Sequence, residues 1–303
     1  MNDGSEVAPL VSVILPTHDR AATLARAIQS VLQQTFRDFE LIVVDDGSTD
    51  MTPMLLRRYA ADKRVKVLAG AWRGAAVSRN LGLAVARGSY LAFQDSDDEW
   101  LPQKLERAIM ALRDTGPETG VYYCNMTRVS PGGERVAFPA PAVVPGRLID
   151  EATVDYQVLG IGIQSAVIKR ECIEAVGGFD EMLPRFIDLD LFARLALRYG
   201  FVRDAEALTD YHNGPGISKD RAALVAARRY LIKKYHERLR ASPRHLAWQY
   251  FHLAEALAKN GEKLGSVGWV FRAWTVAPRQ VGAMRAMRAI AGQWRLTKAS
   301  VGL

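Results

Sequence analysis

The sequence predicts an α/β fold: a mostly parallel central sheet with helices on both faces, followed by an all-α C-terminal extension. Three observations predict it. Short continuous apolar runs alternate with stretches of helical periodicity through the N-terminal third, the pattern of strands buried on both faces. Polar or acidic residues stand directly after three of those runs, and open sheets of this kind bind ligands beyond the carboxyl ends of their strands. From about Arg221 the periodicity is helical almost throughout and the charge changes sign: residues 221–303 carry 16 Lys/Arg against 3 Asp/Glu, a net +13, while the rest of the chain carries −6. The expected organisation is therefore a short disordered N-terminus (1–9), an α/β domain (10–220) and a basic helical extension (221–303).

Taken in order, Val11 to Leu15 (VSVIL) reads as the first strand, and Leu24, Ile28, Val31 and Leu32 then recur at helical spacing. Leu41 to Asp45 (LIVVD) is the second strand; Thr52-Pro53 follows as a capping residue with a proline at the first helical position. Val65 to Leu68 is the third strand. The next helix runs through Arg79 to Ala86, with Gly88 placed for a left-handed cap. SYLAF is the fourth strand, and a helix from Pro102 puts Leu105, Ile109 and Leu112 on one face. Farther on, SPGGERVAF reads as a hairpin turn, FPAPAVVPG as a loop, Ile163 to Arg170 as a strand, and a helix begins near Asp190 and stops at Gly200. Breaks in the helical extension are expected near Ser242-Pro243, Asn260-Gly261 and Pro278.

Composition excludes several classes. At 49% apolar and 24% charged residues the chain is an ordinary globular protein, and no apolar window approaches the length of a transmembrane span. The N-terminus has neither the basic nor the apolar part of a secretory signal, which suggests a cytoplasmic location. Cys124 and Cys172 form neither a disulfide framework nor a metal motif. A P-loop is absent. An acidic pair after the second strand, without a lysine partner, does not fit a phosphoacceptor receiver domain.

The chemistry concentrates in LAFQDSDDEW, residues 91–100, where Asp95, Asp97, Asp98 and Glu99 crowd behind the fourth strand. Like charges this close cost free energy unless a cation sits among them. Alternating Asp95 and Asp97 converge, and hard carboxylate oxygens suit Mg²⁺ or Mn²⁺ held together with substrate phosphates. Arg79, at the start of a helix, is placed to meet a phosphate or a base.

The blocks SVILPTHDR, LQQTFRDFELIVVDDGSTD, GAAVSRNLGLAVARGSYLAFQDSDD, GGFDE and DLDLFARL, in this order over about residues 10–215, resemble the family 2 inverting glycosyltransferases of the GT-A (Rossmann-like) fold. The resemblance implies a transferase that moves a sugar from a nucleotide-diphosphate donor, UDP-linked by preference, to a hydroxyl of a glycan or lipid-linked acceptor in polysaccharide or cell-envelope synthesis. It implies a nucleotide-sugar site made of Thr17, Asp19, Asp46, Arg79, Asp95 and Asp97, with Asp97 on the metal. His212 is a further candidate ligand to the Mn²⁺ or Mg²⁺. Asp188 matches the catalytic base, and Asp98, Asp190 and Trp100 are candidate acceptor-facing or supporting groups. The family's glutamate before that base is replaced by Ile187. Competing readings are a helix N-cap for Asp188, packing for Trp100 and Trp72, and, for the whole chain, a non-catalytic sugar-nucleotide-binding or assembly subunit.

In the extension, QVGAMRAMRAIAGQWRLTK gathers Met284, Met287, Ile290, Ala291 and Trp294 on one face with Arg285, Arg288 and Arg295 opposite. That is the pattern of a basic amphipathic helix on an anionic membrane surface, which would make the protein peripheral on the inner face of the membrane. Nucleic acid is not expected, because no recognition motif accompanies the charge.

Overall fold

The computed structural model describes residues 7–71, 73–151, 153, 155–212 and 220–278. The expected helix at 280–298, Trp72 and most of the expected disordered N-terminus lie outside them. The chain divides into two compact units: Met1–Arg147, Gln157–Glu181 and Ile187–Gly214 form the first; Leu148–Tyr156, Met182–Phe186 and Pro215–Leu303 form the second.

The first unit is built on one sheet. Its N-terminal half contains β1 (Val11–Thr17), β2 (Phe39–Asp45), β3 (Val65–Ala69) and β4 (Tyr90–Phe93) in the order β3-β2-β1-β4, all parallel. Every residue of β1 is buried, as its mostly apolar run predicts, and the buried Ser12 hydroxyl donates to Glu40 at 2.7 Å. Val11, Val13 and Leu15 point into one core with α1 (Leu24–Leu32), Leu56 of α2 (Thr52–Tyr59) and Leu105, Ala108, Ile109 and Leu112 of α4 (Lys104–Arg113). On the opposite face Ile14 meets α3 (Ala75–Val85) at Gly82, where an added Cβ would lie 2.5 Å from the Ile14 side chain. Only glycine allows helix and strand that close.

Beyond β4 the sheet turns mixed. The order continues β8-β6-β9-β5, with β7 paired to β6; β5 is Glu99–Trp100, β6 Thr119–Val129, β7 Arg135–Phe138, β8 Ala166–Lys169 and β9 Gly200–His212. β8 is antiparallel to both β4 and β6, whereas β9 runs parallel to β6 and antiparallel to β5. β6 and β7 form the expected hairpin, with Gly133 at φ 83° in its turn. Two helices complete the unit: α5 (Arg170–Val176) and α6 (Ile187–Ala196).

Three local expectations change. Gly88 is not a left-handed cap: α3 ends at Val85, and a Cβ on Gly88 would lie 2.5 Å from the Ser12 nitrogen. Its role is close passage beside β1. Thr52 does not cap α2; its hydroxyl accepts the Arg20 N–H at 2.9 Å, and Asp50 accepts the Thr52 N–H at 2.8 Å. The strand expected from Ile163 begins only at Ala166, after a single 3₁₀ turn at Ile163–Ser165.

The second unit is helical: α7 (Arg221–Lys234), α8 (His236–Arg240), α9 (Pro243–Lys259) and α10 (Lys263–Val276). Leu253, Ala256 and Leu257 of α9 pack against Val225 and Ile232 of α7. Small residues bring α9 and α10 together, through Ala254 with Val270 and Ala247 with Ala273. His252 sits 3.3 Å from Asp155 and 3.3 Å from Glu255. No helix among the described residues is long and apolar enough to cross a membrane.

Candidate functional site

The parallel register carries the ends of β1, β2 and β4 to one edge of the sheet: Thr17 pairs with Asp45 in register, the Thr17 carbonyl accepts the Asp46 N–H at 2.8 Å, and Gln94 continues β4 beside Ile14. The three polar tips expected from sequence therefore meet. Thr17 is buried and its hydroxyl has no hydrogen-bond partner among the described residues; the same holds for the Ser78 hydroxyl and the Arg79 Nε. Unmet polar groups in a buried place are costly, and Thr17 ends β1 at the edge where a ligand is expected.

At the β2 tip the acids are answered by backbone. Asp46 accepts the N–H of Arg73 at 3.0 Å and of Gly74 at 2.7 Å, so it fastens the loop after β3. Asp45 accepts the Ser48 N–H at 3.0 Å. Asp19, in the left-handed region at φ 49°, accepts the Thr49 N–H at 2.7 Å and the Asp50 N–H at 3.3 Å. These bonds, Thr49's first, hold the Asp19 carboxyl below its ordinary value.

At the β4 tip the acids face each other. Arg79, buried in α3, donates to Asp95 at 2.6 Å. The Arg20 guanidinium lies 3.7 Å from the Asp97 carboxylate, and Arg26 donates to the Asp97 backbone carbonyl at 2.6 Å. Burial, then the Asp95 charge, pushes the Asp97 carboxyl above its usual value against the pull of Arg20 and Arg26. Asp98 is 1% exposed and accepts from the His212 backbone N–H at 2.9 Å and from Gln164 Nε2 at 2.8 Å. Burial and the neighbouring Asp95 push it well up. Glu99 lies 3.5 Å from Arg26 and 3.6 Å from the His212 ring.

Asp188 enters from the first turn of α6. It is partly buried, and its Oδ1 accepts the Leu189 N–H at 2.8 Å. Burial raises its carboxyl; Arg79 lowers it and Asp95 raises it further, so Asp188 lies within electrostatic reach of the β4 tip. Asp190, one turn-face away and fully buried, is committed to Arg194 at 2.9 Å, which also donates to the Val176 and Gly178 carbonyls. That network braces α6. Trp100 is 2% exposed, donates its indole N–H to the Gln164 carbonyl at 2.8 Å and carries the Lys104 ammonium 4.0 Å from its ring centre; packing, one of its two expected roles, accounts for it. Burial, then Arg26, lowers the His212 imidazole from its ordinary value against the pull of Glu99 and Asp210.

Among the described residues no three His, Cys, Asp or Glu side chains converge as a metal cluster. The donor chemistry nevertheless fits a hard divalent cation of the kind that takes one or two carboxylates and completes its shell with substrate phosphates and water. Asp95 and Asp97 supply mutually repelling carboxylates with incomplete compensation. Sequence reasoning missed Arg20 and Arg26, the cations nearest Asp97, and Gln164, which holds Asp98. Arg20 stands beside the PTHD block and was within reach of it; Arg26 and Gln164 carry no local signal.

The profile of Glycosyl transferase family 2 matches residues 12–140, the span from β1 to the loop after β7. Residues 12–140 belong to that family. The family 2 segment resembles an Escherichia coli UDP-Glc:alpha-D-GlcNAc-diphosphoundecaprenol beta-1,3-glucosyltransferase, WfgD, at 43% identity over 104 residues, 34% of this chain and 41% of the relative. The matched stretch thus spans about two-fifths of that relative. An amylovoran biosynthesis glycosyltransferase of Erwinia amylovora, AmsB, is 29% identical over 209 residues, 66% of this chain and 69% of the relative. Among solved structures, S. aureus TarS in complex with UDP-GlcNAc superposes with a TM-score of 0.65 at 19% identity, covering 96% of this chain and 91% of that one. A Pyrobaculum calidifontis mannosyltransferase in complex with GDP-Man and Mn²⁺ gives 0.54 at 19% identity, covering 98% and 87%. At such identities the likeness carries the fold, which is GT-A, as the motif blocks imply.

Proposed function

We propose that this protein is a metal-assisted inverting glycosyltransferase that uses a nucleotide-diphosphate sugar, UDP-linked by preference, and a hydroxyl of a glycan or lipid-linked acceptor. The observation that carries the proposal is the 2.6 Å pair of buried Arg79 with Asp95 at the β4 tip; the direction of the Asp188 shift, to which both charges contribute, supports it. The relatives' names, which pair UDP-glucose with a diphosphate-linked acceptor in one case, support the class of donor and acceptor.

In this reading the Thr17 hydroxyl meets the nucleoside, Asp46 borders it while holding the Arg73–Gly74 loop, and Arg79 meets the diphosphate. A Mg²⁺ or Mn²⁺ ion, held by Asp97 and by the donor itself, would supply Lewis-acid stabilisation of the leaving diphosphate. Asp188 accepts the proton of the acceptor hydroxyl as its oxygen bonds to the anomeric carbon. The bond from that carbon to the diphosphate breaks on the opposite face, so the configuration inverts and a nucleoside diphosphate leaves. A carboxyl raised by burial is a stronger base than an ordinary aspartate, provided it is ionised at the working pH.

Calorimetric titration of a panel of nucleotide sugars with and without Mn²⁺, on the wild type and on Asp97→Ala, tests the proposal. Metal-dependent binding of one donor, lost in Asp97→Ala, is expected. Absence of binding to every donor with either metal, in folded protein, would overturn it in favour of a non-catalytic subunit.

A further inference from the structure

In the second unit, α10 turns large apolar side chains into solvent along one face. Leu264 is 88% exposed, Val267 50%, Phe271 60% and Trp274 44%. Steps of three, four and three residues align them on one side of a helix. The opposite side, with Ser266, Val270 and Ala273, is buried in the packing with α9. The Phe271 and Trp274 rings lie 5.9 Å apart and form one patch. Beside them Gly268 has open space where a side chain would project, so the surface is flat. Arg272 stands at the edge with its guanidinium 4.7 Å from the centre of the Trp269 ring. No acidic residue occurs within α10. Exposed apolar surface of this kind, rimmed by polar groups, marks a contact site.

Charge selects the occupant. Residues 221–303 carry 16 Lys/Arg and 3 Asp/Glu. Residues 279–303 add Arg279, Arg285, Arg288, Arg295 and Lys298 with no acid, so they would bring like charge to α10 if they folded over it. A second copy docking through the same face would repeat that repulsion. A surface that is apolar inside and anionic outside satisfies both features at once, and a lipid surface with anionic headgroups has that composition. The helix is 14 residues long, roughly 21 Å at 1.5 Å per residue, too short to span a bilayer and sufficient to lie in its surface.

We propose that α10 is an interfacial membrane anchor: the Leu264–Val267–Phe271–Trp274 face enters the boundary between headgroups and acyl chains of an anionic lipid surface, while Arg272 and the neighbouring cations remain with the headgroups. The proposal is independent of the transferase reading.

Flotation of the full chain with vesicles of phosphatidylcholine, alone or mixed with phosphatidylglycerol, tests it. Binding to the mixed vesicles that weakens with salt is expected. The double variant Phe271→Ser/Trp274→Ser loses about tenfold or more in vesicle affinity, as removal of the buried apolar area requires; Arg272→Glu loses less. Both retain the wild-type circular dichroism and the wild-type donor calorimetry, because these side chains stand in solvent away from the α9 contact. Brominated acyl chains quench the wild type more than Trp274→Phe, which keeps its vesicle affinity. Four results would overturn the proposal: no flotation of the wild type on mixed vesicles; equal flotation on phosphatidylcholine alone; a double variant that floats like the wild type, which would put binding elsewhere in the chain; or a wild-type dimer in solution that the double variant dissolves.

Discussion

The acids after β2 and the acids after β4 stand at the same edge of the sheet and do opposite work. At the β2 tip Asp45, Asp46, Asp19 and Asp50 are met by backbone N–H groups of Ser48, Arg73, Gly74, Thr49 and Thr52. Their charges are used inside the protein to fold a loop. At the β4 tip Asp97 and Asp98 are pushed up by burial and by Asp95, and Asp188 is raised in the same neighbourhood. Asp98 is held there by Gln164 and the His212 N–H, whereas the Asp97 carboxylate has the Arg20 guanidinium at 3.7 Å, beyond hydrogen-bond length. Acidic clusters that look alike in sequence are therefore separated by whether hydrogen-bond donors are already in place.

The largest effect should come from Asp188, the acid proposed as the base. Asp188→Asn removes the base but keeps the shape, so kcat should fall by about 10³-fold, within the range that general base catalysis supplies, while donor affinity stays within about twofold. Steady-state turnover together with calorimetry separates the two quantities. The wild-type rate should also fall on the acid side as Asp188 protonates, at a pH above the ordinary aspartate value because its carboxyl is raised. Unchanged turnover in Asp188→Asn would break the comparison, since the raised acid would then be a structural one like those after β2.

Next in size is a structural loss at the β2 tip. Asp46→Ala leaves the N–H groups of Arg73 and Gly74 without their acceptor, which should cost about 2–4 kcal/mol for two donors. Denaturant unfolding measures it. A full loss of donor binding with unchanged stability would instead assign Asp46 wholly to the ligand.

A cation should act at one tip only. Mn²⁺ at ~100 times its Kd should stabilise the wild type by about 2.7 kcal/mol, seen as a rise in Tm, and Asp97→Ala should lose that rise. Asp50→Asn should keep it, because Asp50 is turned to the backbone of Thr52.

The comparison also explains what was legible beforehand. Strands buried on both faces are written as continuous apolar runs, so β1, β2 and β4 and their polar tips could be read directly. β9 could not: its thirteen residues mix exposed, half-buried and buried positions with no steady alternation and carry Asp204 and Asp210 within the run. β6 and α5 were missed with it. Asp97 and Asp98 are neighbours in sequence, yet only the fold shows that Asp98 is claimed by Gln164, 66 residues away, and by the His212 backbone. Backbone donors carry no side-chain signature, so the scaffolding role of Asp46 was likewise invisible, whereas its likeness to a ligand-binding acid was not. Trp100 shows the converse: an aromatic residue at a strand tip has a partner for its N–H and a buried lysine on its ring, and the sequence could not decide between packing and stacking.

The smallest effect is the most direct test of the difference, because it should change sign between the two tips. Asp50 lies below its ordinary value: burial opposes this, but the Thr52 hydroxyl and N–H outweigh it. Its ionised form is favoured by folding, so its contribution is present above pH 4 or so and is lost as the pH falls through the lower folded value. Asp97 is raised, so its ionised form is disfavoured by folding, and its penalty is present at neutral pH and relieved as the pH falls through the higher folded value. At pH 7 without metal, Asp50→Asn should therefore lower Tm, while Asp97→Asn should raise it. Added Mn²⁺ should reverse the order of wild type and Asp97→Asn, because the cation that relieves the repulsion stabilises only the chain that still has the carboxylate. If both substitutions lower Tm without metal, the acids after β4 are already compensated within the fold, and the argument for a cation there loses its physical basis.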